Sequence, residues 1–147
     1  MASIVRKAGV IWNGDSRSGS GTISTQSKAL YEQPYTYATR FEEAPGTNPE
    51  ELLAAAHAAC FSMALASMLK SKGFTARQIE TNAECTVEAR DGGYEITRKQ
   101  LHTRGQVPGI DDSAFQKIAA DAGKNCPVSK LLGQGLKIDL KAELIEA

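Results

Sequence analysis

Cys126 stands immediately before Pro127. This is the order of a helix N-cap and its first helical residue, where unpaired backbone N–H groups and the positive dipole end favour a thiolate. A small residue tolerated at a cap would read the same way. Cys60 lies inside a long uncharged stretch, where a thiol is either a compact packing group or a nucleophile. Cys85 falls on the apolar face of a strand and is assigned to the core. Two thiols share redox chemistry only if they meet, since a disulfide needs Cα atoms within about 7 Å. His57, one turn before Cys60, is either that thiol's base or a satisfied core or interface histidine. Arg40 and Glu50, before and at the start of the same stretch, carry the ordinary reading of a surface ion pair. A metal site from His57, Cys60 and Cys126 is disfavoured, because three such residues lack any ligand-motif spacing. The sequence holds no Gly-x-Ser-x-Gly, phosphate loop or nucleotide fingerprint, and no cofactor is expected.

The elements that must position these residues begin with strands. Ile4 to Trp12 and Thr22 to Thr25 read as a hairpin around a long turn-rich loop, and Tyr35 to Phe41 as a further short extended segment that Arg40 nearly ends. Asn48 then caps a helix, Pro49 suits its first position, and Glu50 and Glu51 face the positive dipole end. Gly73 is its stop. Within it, Leu52 to Leu69 is an 18-residue stretch without a charge, apolar on every side. Such a helix is expected to be buried all round. A membrane span is set aside, because the stretch is mostly alanine, carries His57, Ser62 and Ser67, and has no Trp or Tyr at either end.

Beyond Gly73, Ile79 to Arg90 alternates as a half-buried strand, Gly92-Gly93 turns it, and Tyr94 to Val107 returns with a slip between Ile96 and Leu101. Asp111, Asp112 or Ser113 caps a second helix through about Lys124, and Cys126-Pro127 opens a short third one. Leu136 to Leu144 is the last strand, with Leu136, Ile138, Leu140 and Ala142 facing one way. The order βββ-α-ββ-αα-β predicts an α+β fold with an antiparallel sheet in one domain, residues 1–147. So small a chain with so few helices can hardly enclose one on every side. A second copy would supply the cover, and Ala55, Ala56, Ala59, Ala64 and Ala66 would allow close approach of two helices.

Composition narrows the function. Seventeen basic and seventeen acidic residues give a formal net charge of zero with no run of either sign, which argues against nucleic acid and acidic membranes as partners. Three cysteines are too few for a secreted disulfide scaffold, and no secretory apolar stretch follows the basic N-terminus, so a cytoplasmic protein is expected.

The segment from Thr47 through Cys60 to Ala64, together with Asn125-Cys126-Pro127-Val128-Ser129, closely resembles the OsmC/Ohr family and its OsmC branch. The likeness extends to Trp12-Asn13-Gly14-Asp15, Tyr35 to Phe41, and Val107-Pro108-Gly109-Ile110-Asp111. It implies an antioxidant thiol peroxidase of organic hydroperoxides, induced in osmotic stress and working as an intertwined homodimer with long central helices wrapped by antiparallel sheets. By the same resemblance Cys60 is the attacking cysteine and Cys126 the resolving one. Arg40 stabilises the thiolate and Glu50 orients the arginine. Arg17, in the first hairpin loop, competes with Arg40, and Glu51 competes with Glu50. The alternative of a different class is a binding module whose cleft holds a lipid-like ligand.

The implied chemistry makes a physical demand. A free thiol is only about 3% ionised at pH 7, and burial lowers that fraction further. A guanidinium within about 4–6 Å lowers a thiol pKa by about 1–3 units, enough to reverse the effect. Cys60 would then be oxidised to a sulfenic acid, Cys126 would close a disulfide, and an external dithiol would reopen it. Phe61 and Met63 are expected to supply apolar walls that favour bulky organic peroxides.

Overall fold

The computed structural model describes residues 3–135 and 138–146, so the expected placement of Leu136 lies outside the described residues. Two compact units divide the chain between Leu52 and Leu53.

In the first unit β1 (Ala8–Asn13), β2 (Ser20–Thr25) and β3 (Gln33–Tyr35) form an antiparallel sheet in that order. Trp12 and Tyr35 flank Gly21 with ring centroids 5.3 Å apart. A Cβ on Gly21 would stand 2.6 Å from either ring, so only glycine fits there. Tyr37–Phe41 is a short helix, α1, which corrects the expected extended segment. Thr36 caps it, and its side chain accepts from the Thr39 N–H while the Thr39 hydroxyl receives the Thr36 N–H. Thr39 takes the place of the usual Glu or Gln in this reciprocal box, and the aromatic, β-branched composition reads as strand.

The long helix α2 (Pro49–Ser71) starts as expected, with the Asn48 carboxamide oxygen accepting from the Glu51 N–H at 2.7 Å. Gly73, at φ 91°, follows its end. By length and composition alone this helix could cross a membrane. It is not buried all round. His57, Phe61, Leu65 and Leu69 are fully buried, one stripe at a spacing of four. Ala55, Ala59, Met63 and Ala66 form an exposed stripe on another side. The chain's own core packs along the first of these stripes.

The second sheet runs β4 (Gln78–Arg90), β5 (Gly93–Gln106) and β6 (Ile138–Ile145) in that order. β4 and β5 are antiparallel, and the register shift leaves Thr97 as the extra residue of a bulge, inside the expected slip. β6 corrects the all-antiparallel expectation: it pairs with β5 in parallel, Lys99 opposite Ile138 through Gln106 opposite Ile145. The intervening chain forms α3 (Asp112–Asn125) and α4 (Pro127–Leu132), the long helical crossover a parallel neighbour needs. Phe61, Leu65 and Leu69 pack with Leu101 of β5 and with Phe115, Ile118, Ala119 and Ala122 of α3.

Candidate active site

The second unit brings the two predicted thiols together. α3 ends at Cys126, which serves at once as its C-cap and as the N-cap of α4. There the Ser129 N–H donates to Cys126 Sγ at 3.3 Å. Cys60, in mid-α2, packs against the same core and lies within hydrogen-bonding reach of the Cys126 thiol. Both thiols are free, and Cys126 is buried while Cys60 is half-buried. Burial pushes the Cys60 thiol above its ordinary value. The Val128 N–H opposes the rise and the neighbouring Cys126 thiol adds to it. Cys85 lies on the inward face of β4 but is only half-buried and stands outside the core cluster to which the sequence assigned it.

Behind the thiols runs a buried polar path that the sequence reading missed in part. The Cys126 thiol donates to Ser129 Oγ at 3.0 Å, and Ser129 Oγ lies 2.8 Å from His57 Nε2. His57 therefore partners Ser129. Burial is the first cause that lowers its pKa to about 4, and the Lys99 charge is the second. Lys99 on β5 is itself fully buried, and burial lowers its pKa against the opposing influence of Cys85. Among the described residues neither His57 Nδ1 nor Lys99 Nζ has a hydrogen-bond partner. Two sequence signals pointed here: Ser129 stands at the third helical position after the Cys126 cap, and Lys99 takes an inward position in phase with Leu101 and Thr103.

The first unit holds the predicted charged pair. Arg40, on α1, donates from Nε at 3.0 and 3.2 Å to the two carboxylate oxygens of Glu50, and from Nη2 to Oε1 at 2.8 Å. Glu50 is 5% exposed and held in the first turn of α2, so the fork is fixed from the carboxylate side. The competing Glu51 instead accepts from the Thr47 hydroxyl at 2.9 Å. Arg17 lies over the Tyr37 ring at 4.5 Å. Phe61 corrects its expectation: it is fully buried in the core and cannot line a substrate wall, whereas Met63 is 79% exposed. Among the described residues no three His, Cys, Asp or Glu side chains are grouped to hold a metal ion.

The OsmC family model, described as OsmC-like protein, matches residues 42–141. The chain is 47% identical over 137 residues to Peroxiredoxin OsmC of Escherichia coli (strain K12), covering 93% of this chain and 96% of that protein. It is 33% identical over 101 residues to the organic hydroperoxide resistance protein OhrB of Bacillus subtilis (strain 168), covering 67% and 70%. The crystal structure of Bacillus subtilis OhrB superposes with a TM-score of 0.69 at 27% identity, covering 95% of this chain and 98% of that one.

Proposed function

Since this chain belongs to the OsmC-like protein family and is a cysteine-based peroxidase acting on organic hydroperoxides in stress defence, we propose that Cys60 is its attacking thiolate and Cys126 its resolving thiol. The observation that carries this assignment is the proximity of the two thiols, which share one core cluster and of which Cys126 influences the proton of Cys60, although they are far apart in sequence. In the proposed cycle Cys60 Sγ attacks the distal peroxide oxygen. The O–O bond breaks, the alkoxide leaves and is protonated to an alcohol, and Cys60 becomes a sulfenic acid. Cys126 displaces water to close the disulfide, and an external dithiol returns both thiols.

Burial holds Cys60 protonated, so the first step needs a cation. Arg40 is the proposed source, oriented by Glu50, and the bidentate grip leaves Nη1 outside the ion pair. The working unit is proposed to be a homodimer, with 1–147 as one functional domain. Support comes from the exposed stripe of Ala55, Ala59, Met63 and Ala66 on a helix that is otherwise apolar, which a second copy would cover. A cytoplasmic site of action, without nucleic acid or membrane as partner, accords with the neutral, run-free charge.

The test is turnover of an alkyl hydroperoxide with a dithiol reductant. Cys60→Ser abolishes it, and Cys126→Ser stops cycling with one sulfenic acid left per chain. Full activity in Cys60→Ser would sink the assignment.

A further inference from the structure

The mechanism just given does not use the buried path behind Cys126. Three contacts define it: the Cys126 thiol on Ser129 Oγ at 3.0 Å, the Ser129 N–H on Cys126 Sγ at 3.3 Å, and Ser129 Oγ on His57 Nε2 at 2.8 Å. Ser129 is 3% exposed and His57 fully buried. Three polar groups have thus been taken out of water and aligned between α2 and α4. A buried imidazole costs free energy unless it is hydrogen-bonded, and among the described residues the one partner of this ring is the serine that holds the thiol.

We propose that Ser129 is a catalytic residue of disulfide closure and His57 its positioning partner, the two forming a proton path out of the Cys126 thiol. The proposal rests on Cys60 and Cys126 being the redox pair. The Cys126 proton passes to Ser129 Oγ while the serine's own proton passes to His57 Nε2. Cys126 sulfur then attacks the sulfenic sulfur of Cys60, the S–S bond forms and the S–O bond breaks. The departing hydroxide gains a proton and the imidazolium loses one, giving water and restoring the neutral ring. One sulfenic acid and one thiol become one disulfide and one water, with no further oxidant. The Ser129 N–H, already on Cys126 Sγ, stabilises the negative sulfur as it forms.

The surroundings suit a proton that is held briefly. Burial and the charge of Lys99 disfavour the imidazolium, so it surrenders its proton at once. The titratable groups facing the path are Cys60 on α2 and Lys99 on β5, with Cys85 of β4 beside Lys99.

The test separates the two half-reactions in a single turnover. The full-length protein is mixed with one equivalent of cumene hydroperoxide and quenched at intervals. Sulfenic acid and Cys60-Cys126 disulfide are then counted by mass spectrometry. Ser129→Ala and His57→Gln each slow closure at least about tenfold at pH 7, while sulfenic acid forms within about twofold of the unmodified rate. Closure in both variants recovers as pH rises, because solvent base then removes the Cys126 proton, a rescue that a packing defect would not show. Closure within about twofold of normal in either variant overturns the proposal, as does a parallel loss of both phases or a defect that high pH leaves in place. If the unmodified protein forms no Cys60-Cys126 disulfide, the redox-pair assignment itself falls and the path with it.

Discussion

Arg40 grips Glu50 through Nε and Nη2 at 2.8 to 3.2 Å, and Glu50 is buried at the start of the same helix that carries Cys60. The carboxylate is the fixed partner and the guanidinium the adjustable one, with its side chain 38% exposed. An ion pair of this geometry fixes a permanent cation in place without occupying all its donors.

Burial is the main influence on the Cys60 proton, and the proposed cycle needs Arg40 to offset it. Arg40→Ala therefore lowers peroxide reduction at pH 7 by about 10-fold or more and moves the pH–rate profile of sulfenic acid formation to higher pH, the equivalent of about 1–3 units of lost thiolate stabilisation. Glu50→Gln shifts it the same way by less. An unchanged profile in Arg40→Ala would transfer the role to Arg17, which lies over the Tyr37 ring on the same short helix.

His57 makes folding stability depend on pH. Its pKa is about 4 in the folded chain against 6.5 for the free side chain. As pH falls through 6.5 the unfolded chain takes up a proton that the folded chain refuses until about pH 4. Stability is level above 6.5 and declines between 6.5 and 4, by up to about 3 kcal/mol from this group. Urea titrations across that range check it: His57→Gln flattens this part of the curve, and an identical slope in both proteins would contradict the assignment.

The exposed stripe on α2 predicts an interface. Met63, 79% exposed in one chain, becomes buried if two copies meet there, and a carboxylate at that place would be desolvated without a partner. Met63→Asp weakens the dimer at least about tenfold by sedimentation equilibrium. A dimer of unchanged affinity would move the interface elsewhere.

Much of this molecule could be read from its sequence, and the failures have physical causes. The caps of α2 and α4 were legible, and that of α3 to within Asp111, Asp112 or Ser113, because Asn48, Asp111 and Cys126 bond locally to backbone N–H groups within three residues. The β4–β5 hairpin followed from the alternation of Ile79 to Arg90 and from Gly92-Gly93. α1 was hidden because its capping box uses Thr39 and its residues favour strands. The parallel placement of β6 depends on how a crossover packs, which no local pattern encodes. Which side of α2 its own chain covers was not legible, since a helix apolar on all sides does not reveal it. At the site, the spacing of Cys60 and Cys126 carried no information about their contact, and the family resemblance supplied it. Ser129 escaped notice because its importance lies in a contact with His57, 72 positions earlier.

The most direct test of the central claim is a count of thiols before and after one equivalent of an alkyl hydroperoxide, with the modified residues identified by mass spectrometry. The protein begins with three free thiols, Cys60, Cys85 and Cys126. The account predicts that Cys60 and Cys126 disappear together into one disulfide while Cys85 remains free. Consumption of the peroxide with Cys60 still reduced, or a disulfide that includes Cys85, would contradict it.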